Sequence, residues 1–440
     1  MRNTPRNEAI VARPAIAARA SRYEGGGILQ MLRQSLGLSK PLPQPTFEEK
    51  DKYTLSNRIL TYRFIKSYLD YHLKPNDCLT EKKFGDKMGY TIRNIVDLKE
   101  QFGSRSDTSQ IKGTAIYRAF FNKDGRDFWI ASKVMNGDIQ ENFNQDEAAL
   151  MERITKELII TELSKHFVIM YKSTFCEDSK VEKSRRLVIF NELCDGEIRS
   201  LLSDDTIKRN KDTFYNILFQ CVISLAIFHN MIGYTHNDTH NGNFLYQTNN
   251  EDIKGYYHYT LGDTSFYLKR CPYHICLYDF GDSKKLRTED YTVSYNSTSI
   301  FNDYHLLIHN FNEKDDSMDS IMEQIKRYFR TNKMNPQFKT LFFEEILRLM
   351  KEHSPEGMIV DVLPDGAVPL NATPFIISNH KAIGGSLGVV KYKSTGEHVH
   401  IVYNNRKLKR CVYAKTKGRG KYCKINKIYI LLSKLKLVDE

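Results

Sequence analysis

The chain has 440 residues, of which 41% are hydrophobic, and its 65 Lys and Arg outnumber 53 Asp and Glu to give a net charge of +12. That length holds two or three domains, each able to bury a core. The eight cysteines follow no framework spacing, which excludes a disulfide scaffold and predicts reduced thiols in a cytosol-like compartment.

The charge is uneven: residues 376–440 carry 15 Lys and Arg against 3 Asp and Glu. Such a segment reads as a separate module with an acidic partner. Residues 1–50 read as a disordered basic arm, with Gly25, Gly26 and Gly27 followed by the Pro-rich run 41–45. A transit peptide is the second reading of its Arg-spaced start, and no signal peptide is expected. Residues 51–91 form a helical N-terminal extension, with Leu60, Phe64 and Tyr68 at helical spacing over 55–73. The pattern then changes to short apolar runs, and 92–98, 114–121 and 127–135 are predicted strands. A Gly-bounded loop, 103–113, separates the first two. A helix is predicted over 147–165 and a strand over 187–191.

Helices dominate from there. The stretch 214–230 is amphipathic, and the apolar run 217–232 is too short and too interrupted by Gln220, His229 and Asn230 to span a bilayer. It predicts a buried helix and no membrane partner. Residues 256–261 and 264–268 form a hairpin turned at Gly262-Asp263. Helices resume at 304–311 and 336–352, and residues 356–375 are a Pro-containing linker. The tail 388–438 alternates apolar and polar residues as a small β barrel or sheet of four or five strands. Cys411, Cys423, His398 and His400 there admit zinc as a minor reading beside buried thiols.

The chemistry-bearing residues cluster in two runs. Tyr234-Thr235-His236-Asn237-Asp238-Thr239-His240-Asn241-Gly242-Asn243 is followed, after an apolar strand, by Asp279-Phe280-Gly281. One carboxylate can orient a hydroxyl, while an amide and a second carboxylate can hold magnesium on a nucleotide. Phosphoryl transfer requires that combination, because positioning and charge neutralisation supply most of its catalysis.

Strands first, helices second, and these runs in this order resemble a protein kinase over about residues 90–355. The resemblance implies an α+β, two-lobed fold with the N-lobe at 92–193, the C-lobe at 194–355 and a basic β-rich module at 376–440. It implies ATP and Mg2+ as cofactors and a protein substrate. Gly103 and Gly113 would bound the phosphate-covering loop, which departs from the family's three-glycine pattern. Lys133, in Ile130-Ala131-Ser132-Lys133, would bind nucleotide phosphate and pair with a helix glutamate. Glu157 is the expected partner, Glu152 the reserve, and Glu162 a solvated position. Backbone groups of Glu192 and Cys194 would take the adenine at a hinge whose gatekeeper is Asn191. Asp238 would be catalytic, Asn243 and Asp279 would bind metal, and His236 would pack around the loop rather than react.

His240 departs from the family, which carries Lys two residues after the catalytic Asp. A neutral imidazole gives less charge to the transition state than an ammonium, so turnover is expected to be modest or pH-sensitive. No Ala-Pro-Glu precedes Asn302-Asp303-Tyr304-His305, which resembles the start of the large helix of the lower lobe.

The hairpin insert, the Gly-Ser-Arg-Ser loop and the Asn-Phe-Leu-Tyr strand resemble a narrower group. These are the serine/threonine protein kinase-like proteins of large nucleocytoplasmic DNA viruses. The resemblance implies a virus-encoded kinase acting in the host cytoplasm, with the virion as a second location. The tail's Lys, Arg and Tyr suit nucleic-acid backbone or an acidic virion protein. A catalytically weak scaffold anchored by that tail, and a small-molecule phosphotransferase with the same D-x-H-x-x-N run, are the competing functions.

Overall fold

The structure, a computed structural model, describes residues 57–102, 114–176, 185–249, 255–262, 264–287, 292–312 and 318–378, with the backbone of four short strands between 392 and 439. It is mixed α+β. Helix α1 (Arg58–His72) comes first and buries Thr61, Tyr62, Phe64, Ile65 and Leu69; of the stripe expected from the sequence Phe64 is buried, Tyr68 is half-buried and Leu60 faces solvent. The strands β1 (Leu79–Phe84), β2 (Lys87–Ile92), β3 (Val96–Phe102), β4 (Ala115–Lys123) and β5 (Arg126–Asn136) then run as an antiparallel meander.

Two expectations are corrected here. The extension 51–91 is not helical throughout, because β1 and β2 add to the sheet at its end. The strand expected over 92–98 is broken by a turn, in which Arg93 and Asn94 both take left-handed φ, 53° and 55°. Those two residues are the centre of a turn closed by the Ile95 amide on the Ile92 carbonyl at 2.9 Å, within the three-residue loop 93–95, and Asn reaches left-handed φ at low cost.

Helix α2 (Gly137–Ile154) follows β5 and starts ten residues before the expected 147–165. A single π-helical turn (Thr155–Ile159) closes it. Strands β6 (Met170–Cys176) and β7 (Arg186–Asn191) complete a seven-stranded sheet in the order β1-β2-β3-β4-β5-β7-β6. β7 inserts between β5 and β6, so Lys133 lies opposite Ile189, close to the end of the strand that leads to Glu192. Cys78 and Cys176 are joined by a disulfide, which corrects the expectation of reduced thiols at those two positions.

From Glu192 onward helices alternate with short strands. After β8 (Gly196–Glu197), α3 (Ile198–Ser203) and α4 (Asp205–Arg209) comes α5 (Lys211–Ile227), buried at every position from Thr213 onward. With the turn that follows it, this helix is long and apolar enough to cross a membrane, yet 94% of the qualifying window is buried inside the protein. It is the core helix against which the strand Tyr273–Leu277 and the later helices pack. Strand β9 (Tyr234–Thr235) leads into the loop 236–243, and β10 (Phe244–Thr248) leaves it. The expected hairpin is present as β11 (Tyr256–Leu261) and β12 (Thr264–Lys269), with Gly262 at φ 61°. β13 (Tyr273–Leu277) pairs with β10, and β14 (Lys284–Lys285) pairs with β9.

Three helices close the chain's second half: α6 (Val293–Asn312), α7 (Asp319–Asn332) and α8 (Phe338–His353). α6 begins well before the expected 304, and α7 was not expected. The segment read as a linker is tied down instead. β15 (Ile359–Val360) pairs with β12, β16 (Phe375–Ser378) pairs with β11, and the Leu370 amide donates to the Tyr256 carbonyl at 2.8 Å. The arm 1–50, the loop 103–113 with Gly103 and Gly113, and the tail's cysteines and histidines as side chains lie outside the described residues.

Candidate phosphoryl-transfer site

Lys133 sits at the centre of a buried charge cluster. Its Nζ is 2.7 Å and 3.0 Å from the two Glu147 carboxylate oxygens and 2.7 Å from Asp279 Oδ1. Glu147 lies on α2, so this corrects the expected partner. Glu157 pairs instead with Arg153 one turn away, on an exposed face. Glu152 likewise pairs with Lys156 in solvent. Burial alone would lower the Lys133 pKa, but Glu147, then Tyr278 and Asp279, raise it above its ordinary value. Asp279 is also opposed by burial, and Lys133 carries its pKa below the usual carboxylate value. Burial raises the Glu147 pKa against the pull of Lys133, and with both carboxylates ionised the one ammonium leaves the trio net negative. The lysine and Glu147 side chains are 5% and 3% exposed, whereas that of Asp279 is 41% exposed and reaches solvent.

Asp238 and Asn243 meet directly. The Asn243 side-chain amide donates to the Asp238 backbone carbonyl at 2.8 Å and to Asp238 Oδ2 at 2.9 Å. The five-residue spacing lets the loop fold back on itself to make that contact. Its two ends are zipped to the Asp279 segment. The Tyr278 amide donates to the Asn243 carbonyl at 2.9 Å, and Phe244 lies opposite Leu277 in the β10–β13 ladder. His236 Nε2 donates to the Tyr278 carbonyl at 2.9 Å, and Asn237 Nδ2 donates to the Asp282 carbonyl at 2.9 Å. His236 is fully buried against Phe228 and Phe280, so it packs as expected and is remote from solvent chemistry.

Asn237 and Asp279 hold left-handed backbone conformations, φ 63° and 59°. Such positions are uncommon outside glycine and cluster where a surrounding structure over-determines them. Asp303 on α6 supplies much of that determination. Its carboxylate accepts from the His236 amide at 2.8 Å and the Asn237 amide at 2.7 Å, and pairs with His229 Nε2 at 2.8 Å. The sequence marked Asp303 only as the start of a helix. Its role as the anchor of the loop depends on a contact 66 residues away in sequence.

His240 is fixed by its own loop. The Gly242 amide donates to His240 Nδ1 at 2.9 Å, which puts the ring proton on Nε2, 3.4 Å from Asp238 Oδ2. A Cβ on Gly242 would lie 2.8 Å from the His240 ring and 2.9 Å from Arg199, so a larger residue there would push the ring and the Arg199 guanidinium aside.

The hinge positions are placed by β7. Glu192 is buried, and its amide donates to the Ile169 carbonyl at 2.8 Å. Cys194 is half-buried with a free thiol. Asn191 donates to the Tyr278 hydroxyl at 3.3 Å, while its Oδ1 is buried with no partner among the described residues. An orphaned buried acceptor of this kind calls for a partner that the described residues do not supply. Among the described residues no three His, Cys, Asp or Glu side chains converge on a metal position. The donor set Asn243 and Asp279 fits a magnesium ion that takes its remaining ligands from phosphates and water.

No protein-family model matches the chain, and no curated protein matches it. A crystal structure of a kinase domain is similar to it, at 13% identity and a TM-score of 0.34, covering 52% of this chain and 67% of that one. The overlap is loose at that score, and the functional reading rests on the side chains.

Proposed function

We propose that the chain is an ATP- and Mg2+-dependent phosphotransferase of the serine/threonine protein kinase type. The observation that carries the reading is the Lys133 ammonium held between Glu147 and Asp279, with the Asp238–Asn243 pair one backbone bond from the Asp279 segment. Lys133 would neutralise nucleotide phosphate, and the net negative charge around it leaves room for a cation at Asp279. Asn243 and Asp279 would hold magnesium, which when bound offsets charge on the phosphoryl oxygens. Asp238 would orient the acceptor hydroxyl and accept its proton. His240, with its Nε2 proton toward Asp238, would steady that carboxylate. Glu192 and Cys194 would offer backbone groups to the adenine.

The resemblance drawn from the sequence supports a virus-encoded enzyme working in the host cytoplasm, with the virion the second place to look for it. It also supports a protein acceptor, and the basic tail supports contact with nucleic acid or an acidic virion protein. A small acceptor is the second reading. It is favoured by the position of α6, which begins at Val293, soon after Gly281, and leaves little chain for a peptide platform.

The test incubates purified protein with labelled ATP and magnesium and with mixed basic and acidic proteins. Label on protein that is lost in Asp238→Ala and Asp279→Ala is expected. ATP turnover without protein labelling gives the second reading. Absence of nucleotide binding leaves a scaffold and rejects the enzyme. Deleting residues 376–440 should flatten the salt dependence of DNA or acidic-protein binding, and an unchanged slope removes that partner.

A further inference from the structure

Helix α1 lies ahead of everything that the cleft requires, yet its first residue reaches the hinge. Arg58 is 6% exposed. Its Nε and Nη2 donate to the two Glu192 carboxylate oxygens at 2.6 Å and 2.5 Å, a bidentate pair. Nη1 donates to the Lys165 carbonyl at 2.7 Å, and Nη2 also meets the Phe167 carbonyl and, at 3.7 Å, Cys276 Sγ. A planar fork with five donors is the side chain able to meet a carboxylate and two carbonyls at once.

Each of these partners leads to the cleft. Glu192 follows Asn191 at the end of β7, and its carboxylate also accepts from the Ile169 amide at 3.2 Å. Residues 166–168 are bonded to Leu277, two residues before Asp279: the Leu277 amide donates to His166 and the Val168 amide to Leu277. Cys276 is in β13 itself. The remainder of α1 is clamped to the sheet. Phe64 packs on Phe128 at 4.7 Å, Tyr68 on Phe121 at 4.3 Å, and Asp70 pairs with Lys172 at 3.0 Å.

We propose that Arg58 is a positioning residue for the nucleotide cleft: through Glu192 and the 165–168 segment it locks the hinge to the strand that delivers Asp279. This rests on the functional reading above. The helix thereby acts as a built-in brace on the cleft, so the separation between the adenine-binding backbone and the metal carboxylate is set in the chain's resting state. Lysine cannot replace the arginine, since a single ammonium cannot span the same acceptors.

The test compares wild-type protein with Arg58→Met, Arg58→Lys and the double variant Arg58→Met, Glu192→Leu. Removing both charges relieves the buried unpaired carboxylate and should restore thermal stability. If Arg58 positions the cleft, the double variant regains its Tm while KM for ATP stays raised about tenfold, equivalent to one contact-sized change in binding. Arg58→Lys should behave as Arg58→Met. Hydrogen exchange at 192–196 and 277–281 should rise together in the single variants, with α5 unchanged. A double variant that regains both Tm and KM overturns the proposal, as does unchanged exchange at those two segments. If wild-type protein binds no nucleotide, the functional reading fails, and the exchange pattern alone decides whether the brace exists.

Discussion

Glu147→Gln removes one charge from the Lys133 cluster while keeping the side chain's size. In the native protein both Glu147 oxygens lie within 3.0 Å of the lysine Nζ, and Glu147 and Lys133 are buried. A hydrogen bond to a charged group contributes about 1.5–3 kcal/mol, which at 1.36 kcal/mol per tenfold is about 10- to 150-fold in kcat/KM. The glutamine also frees Lys133 to bind more tightly to Asp279, so KM for ATP rises as well as kcat falling. Glu157→Gln is the matched control. It loses only an exposed i,i+4 pair with Arg153, and turnover should stay within about twofold. Steady-state ATP turnover of the two variants measures the contrast. Equal losses in both, or a Glu147→Gln loss under about threefold, would refute the assignment of Glu147.

Three further outcomes follow from the same contacts. Asp303→Asn weakens the hold on the His236 and Asn237 amides and breaks the pair with His229, and should cost about 3 kcal/mol in urea unfolding and abolish turnover; a loss below about 1 kcal/mol would contradict the anchoring role. Burial lowers the pKa of His166, His236 and His274 below 6.5, so the unfolded chain takes protons there that the folded chain refuses. Stability from these groups is full above 6.5 and falls as pH drops, by up to about 1.4 kcal/mol per pH unit for each imidazole; a Tm unchanged between neutral and mildly acid buffer would contradict it. Burial also drives the Lys165 pKa well below 10.5, so the folded state disfavours a proton that the unfolded chain keeps, and stability rises with pH toward 10.5. Lys165→Met should therefore raise Tm at neutral pH and gain less at alkaline pH, and a lowered Tm would show that its contact over the Tyr257 ring outweighs the burial.

The residues legible in the sequence were those whose geometry is local. Asp238 and Asn243 share one loop, and five residues of spacing are enough to bring the amide onto the carboxylate. Lys133 was legible from the motif Ile130-Ala131-Ser132-Lys133 and its place in the chain order, whereas alternation would not have found it, because residues 132–135 are all buried. Glu147 was not: it stood at the first position of the expected helix, and the family-like spacing from Glu157 to His166 drew the pairing to the wrong carboxylate, whereas the helix starts ten residues earlier and carries Glu147 in its interior. Glu157, ten residues beyond Glu147, falls on a different face of the helix and pairs with Arg153 in solvent. The Cys78–Cys176 bridge spans 98 residues, and no spacing rule pairs cysteines over that distance. Arg58 and Asp303 were invisible for the same reason: their partners lie 134 and 66 residues away.

The most direct measurement is a crystal soaked with a non-hydrolysable ATP analogue and manganese as a stand-in for magnesium. The account predicts an anomalous peak touching both Asp279 and Asn243, with the terminal phosphate between Lys133 and Asp238. Nucleotide bound elsewhere, or bound with no metal near those two side chains, would contradict it.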